Sequence, residues 1–230
     1  MYTHAFILSA GMGSRLRPYT DTAPKPMVPV AGKPIIDHII DKLVDAGVTH
    51  VTVNTHYLGD IIKNHLKDRN DIQIIISEEK DLLETGGGLK HGLSTVTSDP
   101  FFIINGDAFW VEEGNIFKKL YEQWQPDNCD ILLALQPVEK MVLTKGVGDY
   151  NITSDGKAVR MKDQSGSHMF AGIRLCKKSV FDNSPDGFFS FLTLMDRAQD
   201  NDRLSAIEFE GDWHHISTPE ELDRVNEALK

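Results

Sequence analysis

The stretch Ala5-Phe6-Ile7-Leu8-Ser9-Ala10-Gly11-Met12-Gly13-Ser14-Arg15-Leu16-Arg17-Pro18 carries the most information in this chain. Residues 5–10 form a continuous apolar run that stops at Gly11, as a strand buried on both faces reads. Two glycines follow at once. Glycine lets a backbone approach a phosphate closely, and a loop after a buried strand presents its N–H groups to an anion. A plain turn is the competing reading of a bare Gly-x-Gly. Arg15 and Arg17 come directly behind, and Pro24-Lys25-Pro26 follows eight residues later, so the segment from Gly11 to Pro26 holds three cations and one acid, Asp21. Against a chain total of 24 basic and 34 acidic residues, net −10, that is a local concentration of positive charge. Prolines on both sides of Lys25 stiffen its backbone and lower the entropy lost in aiming the ammonium.

Two other phosphate motifs are excluded. A P-loop requires Gly-Lys-Ser/Thr after four intervening residues, and a dinucleotide fingerprint requires a third glycine near position 16 and an acid closing the second strand. Residue 16 is leucine, and the second strand ends in Asn54.

Beyond this loop, strands alternate with helices. A helix opens at Pro34, with Ile35, Ile36, Ile39, Ile40, Leu43 and Val44 on one face and Gly47 at its end. Strands are predicted at 48–54, 72–76, 101–104 and 131–135. Helices are predicted at 58–66, after Glu84, and at 115–124. This alternation predicts an α/β fold, a Rossmann-like, mostly parallel sheet flanked by helices. After residue 136 the pattern changes to a small β-rich C-terminal elaboration. Residues 148–163 read as a hairpin turning at Asp155-Gly156, and 169–176 as a strand. A helical segment covers about 188–200, and a last helix is opened by Thr218-Pro219-Glu220-Glu221, a capping box with proline at the first helical position. No linker or repeat is evident, so one domain is expected over 1–230, with a nucleotide-binding half at 1–136 and a sugar-binding and C-terminal part at 137–230.

The acidic balance argues against nucleic acid as a partner and against an anionic membrane surface. Cys129 and Cys176 match no metal or disulfide spacing, and no apolar run reaches the roughly 18 residues of a spanning helix. A cytoplasmic protein, monomeric or weakly dimeric, is expected. In an open parallel sheet, ligands bind beyond the carboxyl ends of the strands. The segments 11–15, 54–57, 77–88 and 105–110 fall there. Asp107 closes a strand in Asn105-Gly106-Asp107, a suitable place for a carboxylate that binds Mg²⁺ beside a phosphate loop.

The Gly11-Met12-Gly13-Ser14-Arg15-Leu16 run, the Pro18 two residues on, and Pro24-Lys25-Pro26 resemble the opening motif of sugar-1-phosphate nucleotidyltransferases. Leu83-Glu84-Thr85-Gly86-Gly87-Gly88 and Asn105-Gly106-Asp107 recur in order behind it. Within the family, the short length and the LETGGG run look most like the uridylyltransferases that act on N-acetylmuramate 1-phosphate in cell-wall recycling. The resemblance implies two substrates, a nucleoside triphosphate and a sugar 1-phosphate, with Mg²⁺ as cofactor. It implies a nucleotide site at Ala10, Gly11, Met12, Gly13, Ser14, Arg15, Lys25, Glu84, Thr85 and Gly86. The glycines of that last segment are expected to let the base lie flat on the backbone. Arg15, Lys25 and Asp107 become the catalytic set. The sugar-phosphate side falls to Asn105, Gly106, Asp149, Lys162 and Gly172. Phe109 and Trp110 read either as an apolar wall for an acetyl or lactyl group or, the more frequent role of aromatics, as core, and His56 stands where it could line the cleft.

The chain departs from the family near its C-terminus. Where the family carries a second metal-binding aspartate in Trp-x-Asp-x-Gly-Thr, this chain reads Trp213-His214-His215-Ile216-Ser217-Thr218. Imidazole is a poor partner for hard Mg²⁺, and adjacent strand histidines point to opposite faces. The metal is therefore expected on Asp107 with substrate phosphates, Asp212 being a weaker substitute and His215 a hydrogen-bond donor to phosphate. Other substrate pairs stay open: mannose 1-phosphate with GTP, glucose 1-phosphate with dTTP, phosphocholine with CTP. So does a catalytically silent nucleotide-sugar sensor.

Overall fold

The computed structural model describes residues 2–230. Its strands are β1 (His4–Leu8), β2 (Pro29–Val30), β3 (Lys33–Pro34), β4 (His50–Thr55), β5 (Gln73–Glu78), β6 (Phe101–Asn105), β7 (Phe109–Val111), β8 (Ile131–Pro137), β9 (Tyr150–Ile152), β10 (Ala158–Arg160), β11 (His168–Cys176), β12 (Leu204–Glu208) and β13 (Asp212–His214). Its α-helices are α1 (Ile35–Asp45), α2 (Gly59–Leu66), α3 (Glu84–Gly92), α4 (Ile116–Glu122), α5 (Leu192–Asp200) and α6 (Pro219–Ala228).

The main sheet runs β10-β9-β11-β6-β1-β4-β5, with β8 and then β12 added beside β11. Pairs β1–β4, β1–β6, β4–β5 and β8–β12 are parallel, and β11 is antiparallel to both β6 and β8. The later strands thus do not form a layer of their own. β11 is inserted into the sheet next to β6, which brings residues 168–176 beside the strand that ends at Asn105.

Both faces of β1 are covered, as its unbroken apolar sequence requires. Ile7 belongs to the core under α1, where Ile35, Ile36, Ile39, Ile40 and Leu43 are all fully buried. Phe6 points to the opposite core, with Leu89 of α3 and Phe191 and Leu194 near α5. Burial of each large apolar side chain is worth about 1.5–3 kcal/mol, so the isoleucine stripe of α1 fixes that helix to the sheet. Thr218 caps α6 through Glu221 N–H while Glu221 reaches back to the Thr218 N–H, the expected reciprocal box.

Phe109 and Trp110 are not a cleft wall. β7 pairs with β13 in a separate two-stranded ribbon, and both aromatics are buried in the core, at 3% and 2% exposure. The ribbon sets Trp110 against Trp213 and Phe109 against His214, so its aromatic faces are spent on packing. No helix among the described residues is long and apolar enough to cross a membrane.

Candidate active site

The carboxyl ends of β1, β4 and β6 converge on a cavity of about 490 Å³. Ala10, Gly11, Met12, Gly13, Ser14 and Arg15 form one side. Lys25, Asn54, Glu84, Thr85, Asn105, Asp107 and Ser217 form the others. Gly13 stands at φ +60, the left-handed region, and ends the loop by accepting from Leu16 N–H and the Thr20 hydroxyl. A side chain at position 13 would also meet Thr20 at 3.0 Å and Lys25 at 3.1 Å, whereas one at position 11 would meet nothing within 4 Å. Gly11 therefore leaves open space on the ligand side. Among the described residues, the N–H groups of Gly11, Met12 and Gly13 have no protein acceptor, and Arg15 is exposed and makes no ion pair. Arg17, by contrast, is paired with Asp21 at 3.2 Å and does not line the cavity.

Lys25 is buried, at 8% exposure. Its Nζ donates to Asp107 Oδ2 at 2.6 Å. Burial opposes ionisation of Asp107, but the Lys25 ammonium, by its charge and its hydrogen bond, and more weakly His215, outweigh burial and hold the carboxyl below its usual range. It stays an anion at neutral pH. The neighbouring strand splits its two histidines as expected. His214 is buried and stacks on Phe109 at 5.8 Å between ring centroids, while His215 stacks on Trp213 at 5.9 Å. Burial, above all, lowers the His215 pKa, with the Lys25 and Arg15 charges acting in the same direction against Glu221 and Asp107. His215 therefore takes up a proton less readily than a free histidine, and it lines neither this cavity nor its neighbour. Asp212 is exposed on the ribbon and lines neither this cavity nor its neighbour. Among the described residues there is no group of three His, Cys, Asp or Glu side chains that could hold a metal ion. A partly exposed carboxylate beside a phosphate-sized loop still fits a divalent ion that takes most of its oxygens from substrate phosphates and water.

One network escaped the sequence. Ser9 N–H donates to Asn54 Oδ1 at 2.6 Å, Asn54 Nδ2 donates to Glu79 Oε1 at 2.6 Å, and Glu79 Oε2 accepts from Leu83 N–H at 3.0 Å. Asn54 and Glu79 are buried. They tie the base of the glycine loop to the segment that carries Glu84 and Thr85. In the sequence Asn54 and Glu79 stand only within the segments 54–57 and 77–88 at the carboxyl ends of their strands, with nothing to mark them as partners.

The glycine run at 86–88 lies in close contact with distant parts of the chain. A Cβ on Gly86 would lie 2.4 Å from the Phe189 ring, on Gly87 2.0 Å from the Gly187 carbonyl oxygen, and on Gly88 2.3 Å from Glu79 Oε1. The N–H groups of Gly86 and Gly87 both donate to the Phe189 carbonyl. These glycines let α3 pack closely on residues 187–189 and on Glu79. Glu84, at φ +65, and Thr85 do line the cavity, and non-glycine residues in that region are uncommon and concentrate at functional sites.

A second cavity, about 350 Å³, shares Thr85 and Asn105 with the first. Asp149 and Lys162 line it, as does Arg174, which the sequence reading passed over. Burial raises the Asp149 carboxyl to about 6, against the Phe170 N–H that donates to it at 2.9 Å. Gly106 and Gly172 line neither cavity. A Cβ on Gly106 would strike the Leu8 carbonyl at 2.6 Å, and one on Gly172, at φ +74, would press on Asn105 at 3.0 Å. Gly172 sits in the register shift of β11 between Phe170 and Arg174 and packs closely on Asn105. His56 bonds to the Glu79 carbonyl and lies outside both cavities.

A glycine loop with free N–H groups, a buried lysine paired with a partly exposed aspartate, and an adjoining second cavity suit a site for two ligands. The match with a family model agrees: the chain belongs to the nucleotidyl transferase family, whose model covers residues 4–145, more than half of it. The N-acetylmuramate alpha-1-phosphate uridylyltransferase of Caulobacter vibrioides is 37% identical over 224 residues, covering 94% of this chain and 92% of that protein. The protein of the same name from Neisseria meningitidis is 30% identical over 230 residues, covering 97% and 96%. The fold is also that of a UDP-glucose pyrophosphorylase solved with UDP-glucose, at a TM-score of 0.79 and 20% identity over 99% and 98% of the two chains.

Proposed function

We propose that this nucleotidyltransferase moves the uridylyl group of UTP to N-acetylmuramate α-1-phosphate and releases pyrophosphate. One observation carries the reading. The cavity that holds the glycine loop, Lys25 and Asp107 shares a wall, Thr85 and Asn105, with a second cavity lined by Asp149 and Lys162. Two substrates can then meet end to end. The identities of UTP and the sugar rest on the two uridylyltransferases that match over nearly the whole chain.

The attacking group is a sugar phosphate oxygen, already anionic, so no strong general base is required. Catalysis is positioning and charge neutralisation. The N–H groups of Gly11 and Gly13 receive the triphosphate. Arg15 and Lys25 neutralise the β- and γ-phosphates as they leave from the α-phosphorus. Glu84 and Thr85 bound the nucleoside. Asn105, Asp149 and Lys162 orient the acceptor, Asp149 by accepting from sugar hydroxyls. Asp107 fits Mg²⁺, which when bound supplies Lewis-acid stabilisation of the phosphate oxygens. His215 donates a hydrogen bond to a phosphate. The enzyme works as a monomer or weak dimer in the cytoplasm.

The test is pyrophosphate release with Mg²⁺ across the four common triphosphates, each with N-acetylmuramate 1-phosphate and a panel of other sugar 1-phosphates. The reading predicts the highest rate for UTP with N-acetylmuramate 1-phosphate. A different best pair replaces the substrates. Nucleotide binding with no release from any pair transfers the protein to the sensor reading.

A further inference from the structure

Arg174 stands on β11 with its guanidinium in the second cavity and is only 3% exposed. It has no acidic partner. The ion pairs of the described residues do not include it. A guanidinium has five N–H donors. Here Nε has no partner, Nη1 reaches only the Met195 sulfur at 3.7 Å, and Nη2 reaches Asn105 Oδ1 at 3.4 Å. The contrast lies in the same cavity, where Arg160 Nη1 bonds to both carboxylate oxygens of Asp196, at 3.0 and 2.7 Å.

What holds Arg174 is aromatic. Its guanidinium carbon lies 4.4 Å from the Phe191 ring centroid and 5.1 Å from that of Phe170. Cation–π contacts of this kind recover part of the desolvation cost of a buried charge but leave its hydrogen bonds unmade. They also fix the plane of the fork before a ligand arrives. The hydroxyl of Tyr150, which lines the same cavity, is likewise buried without a partner. Lys162, which is in no ion pair among the described residues, and the Asp149 carboxyl also line the cavity, but Arg174 is the buried charge there whose hydrogen bonds are unmade, and with the Tyr150 hydroxyl it complements a small anion that accepts hydrogen bonds.

Resting on the proposed function, we propose that Arg174 binds a second anionic group on the acceptor, distinct from its reacting phosphate, and so selects sugar 1-phosphates that carry a carboxylate. The reacting phosphate belongs beside Arg15, Lys25 and Asp107, none of which lines the second cavity. A planar fork between two rings matches a carboxylate bidentately. The lactyl ether of muramic acid supplies such a carboxylate, and N-acetylglucosamine 1-phosphate is the same sugar phosphate without it.

The experiment is calorimetric titration of the full chain with these two sugar phosphates, without triphosphate, in wild type and in Arg174→Met. Methionine suits an aromatic sandwich and carries no charge. Wild type is expected to bind the carboxylate-bearing compound at least tenfold more tightly. Arg174→Met should weaken that compound at least thirtyfold and the one without the carboxylate less than threefold. Equal weakening of both would assign Arg174 to the reacting phosphate, and a preference that survives the substitution would remove it from recognition. Either result overturns the inference. Should Arg174→Met fail to fold, wild type alone decides: equal affinity for the two compounds overturns the inference and leaves the proposed function standing, whereas binding of neither, with no pyrophosphate release from any pair, overturns both.

Discussion

Lys25 Nζ and Asp107 Oδ2 lie 2.6 Å apart across 82 residues of sequence. The pair joins the cationic end of the glycine loop to the anionic end of β6, and it sets opposite charges side by side where the proposed reaction brings triphosphate and metal together. Lys25→Ala removes the charge that neutralises the departing phosphates. Loss of one such preorganised group costs roughly 10²–10³ in turnover. Steady-state pyrophosphate release should fall by that factor, while far-ultraviolet circular dichroism stays that of wild type.

Asp107→Asn keeps the size of the side chain and removes its charge. Activity should fall by about 10³-fold, and the residual rate should need a higher Mg²⁺ concentration, since one of the very few protein ligands is gone. Titration of the rate with MgCl₂ in both proteins checks this. Chelation of divalent ions should stop the wild-type reaction reversibly.

The glycines separate into two kinds. Gly11→Ala adds a methyl group where nothing lies within 4 Å, so the melting temperature should hold within about 1 °C while nucleotide affinity drops about tenfold from crowding of the ligand. Gly87→Ala puts a Cβ 2.0 Å from the Gly187 carbonyl oxygen, a backbone atom that cannot swing aside. Overpacking of this sort costs about 1–3 kcal/mol or more. A fall of at least ~5 °C in melting temperature is expected.

Asp149 titrates near 6 in the fold, against 3.8 for a free aspartate, because it is buried. Between those values the native protein holds a proton that the unfolded chain has released. Unfolding free energy therefore falls as pH rises through the window from about 4 to 6, and the loss persists above it. Asp149→Asn can still accept from the Phe170 N–H and has no charge to desolvate. Its melting temperature should exceed that of wild type by a few degrees at pH 7.5 and match it near pH 3.5. The reverse ordering would show that Asp149 is stabilised as an anion.

The parallel strands and their helices were legible because each is a local pattern: buried runs at 5–8, 51–53 and 101–104, the isoleucine stripe at 35–43, the capping box at 218–221. The loop residues from Ala10 to Arg15, with Lys25 and Asp107, were legible for the same reason, since motif and spacing lie in contiguous sequence. Contacts between distant segments were not. Gly86 and Gly87 answer to residues 187–189, about a hundred positions away, and Gly88 to Glu79, and no local feature marks a glycine that meets a distant part of the chain. Arg174 is a lone charge in the apolar strand MFAGIRLC. That was the available signal, but the face it takes depends on the register shift after Phe170, which alternation along the strand does not reveal. Asn54 and Glu79 gain their role from contacts with each other and with Ser9 and Leu83, which no local pattern records.

The central claim is that the sugar phosphate attacks the α-phosphorus of the triphosphate in this cleft. Sugar 1-phosphate labelled with ¹⁸O in its non-bridging phosphate oxygens tests it most directly, with the products weighed by mass spectrometry after reaction with UTP and Mg²⁺. All of the label should appear in the nucleotide-sugar and none in the pyrophosphate. Label in pyrophosphate or inorganic phosphate, or no nucleotide-sugar at all from folded protein, would contradict the account.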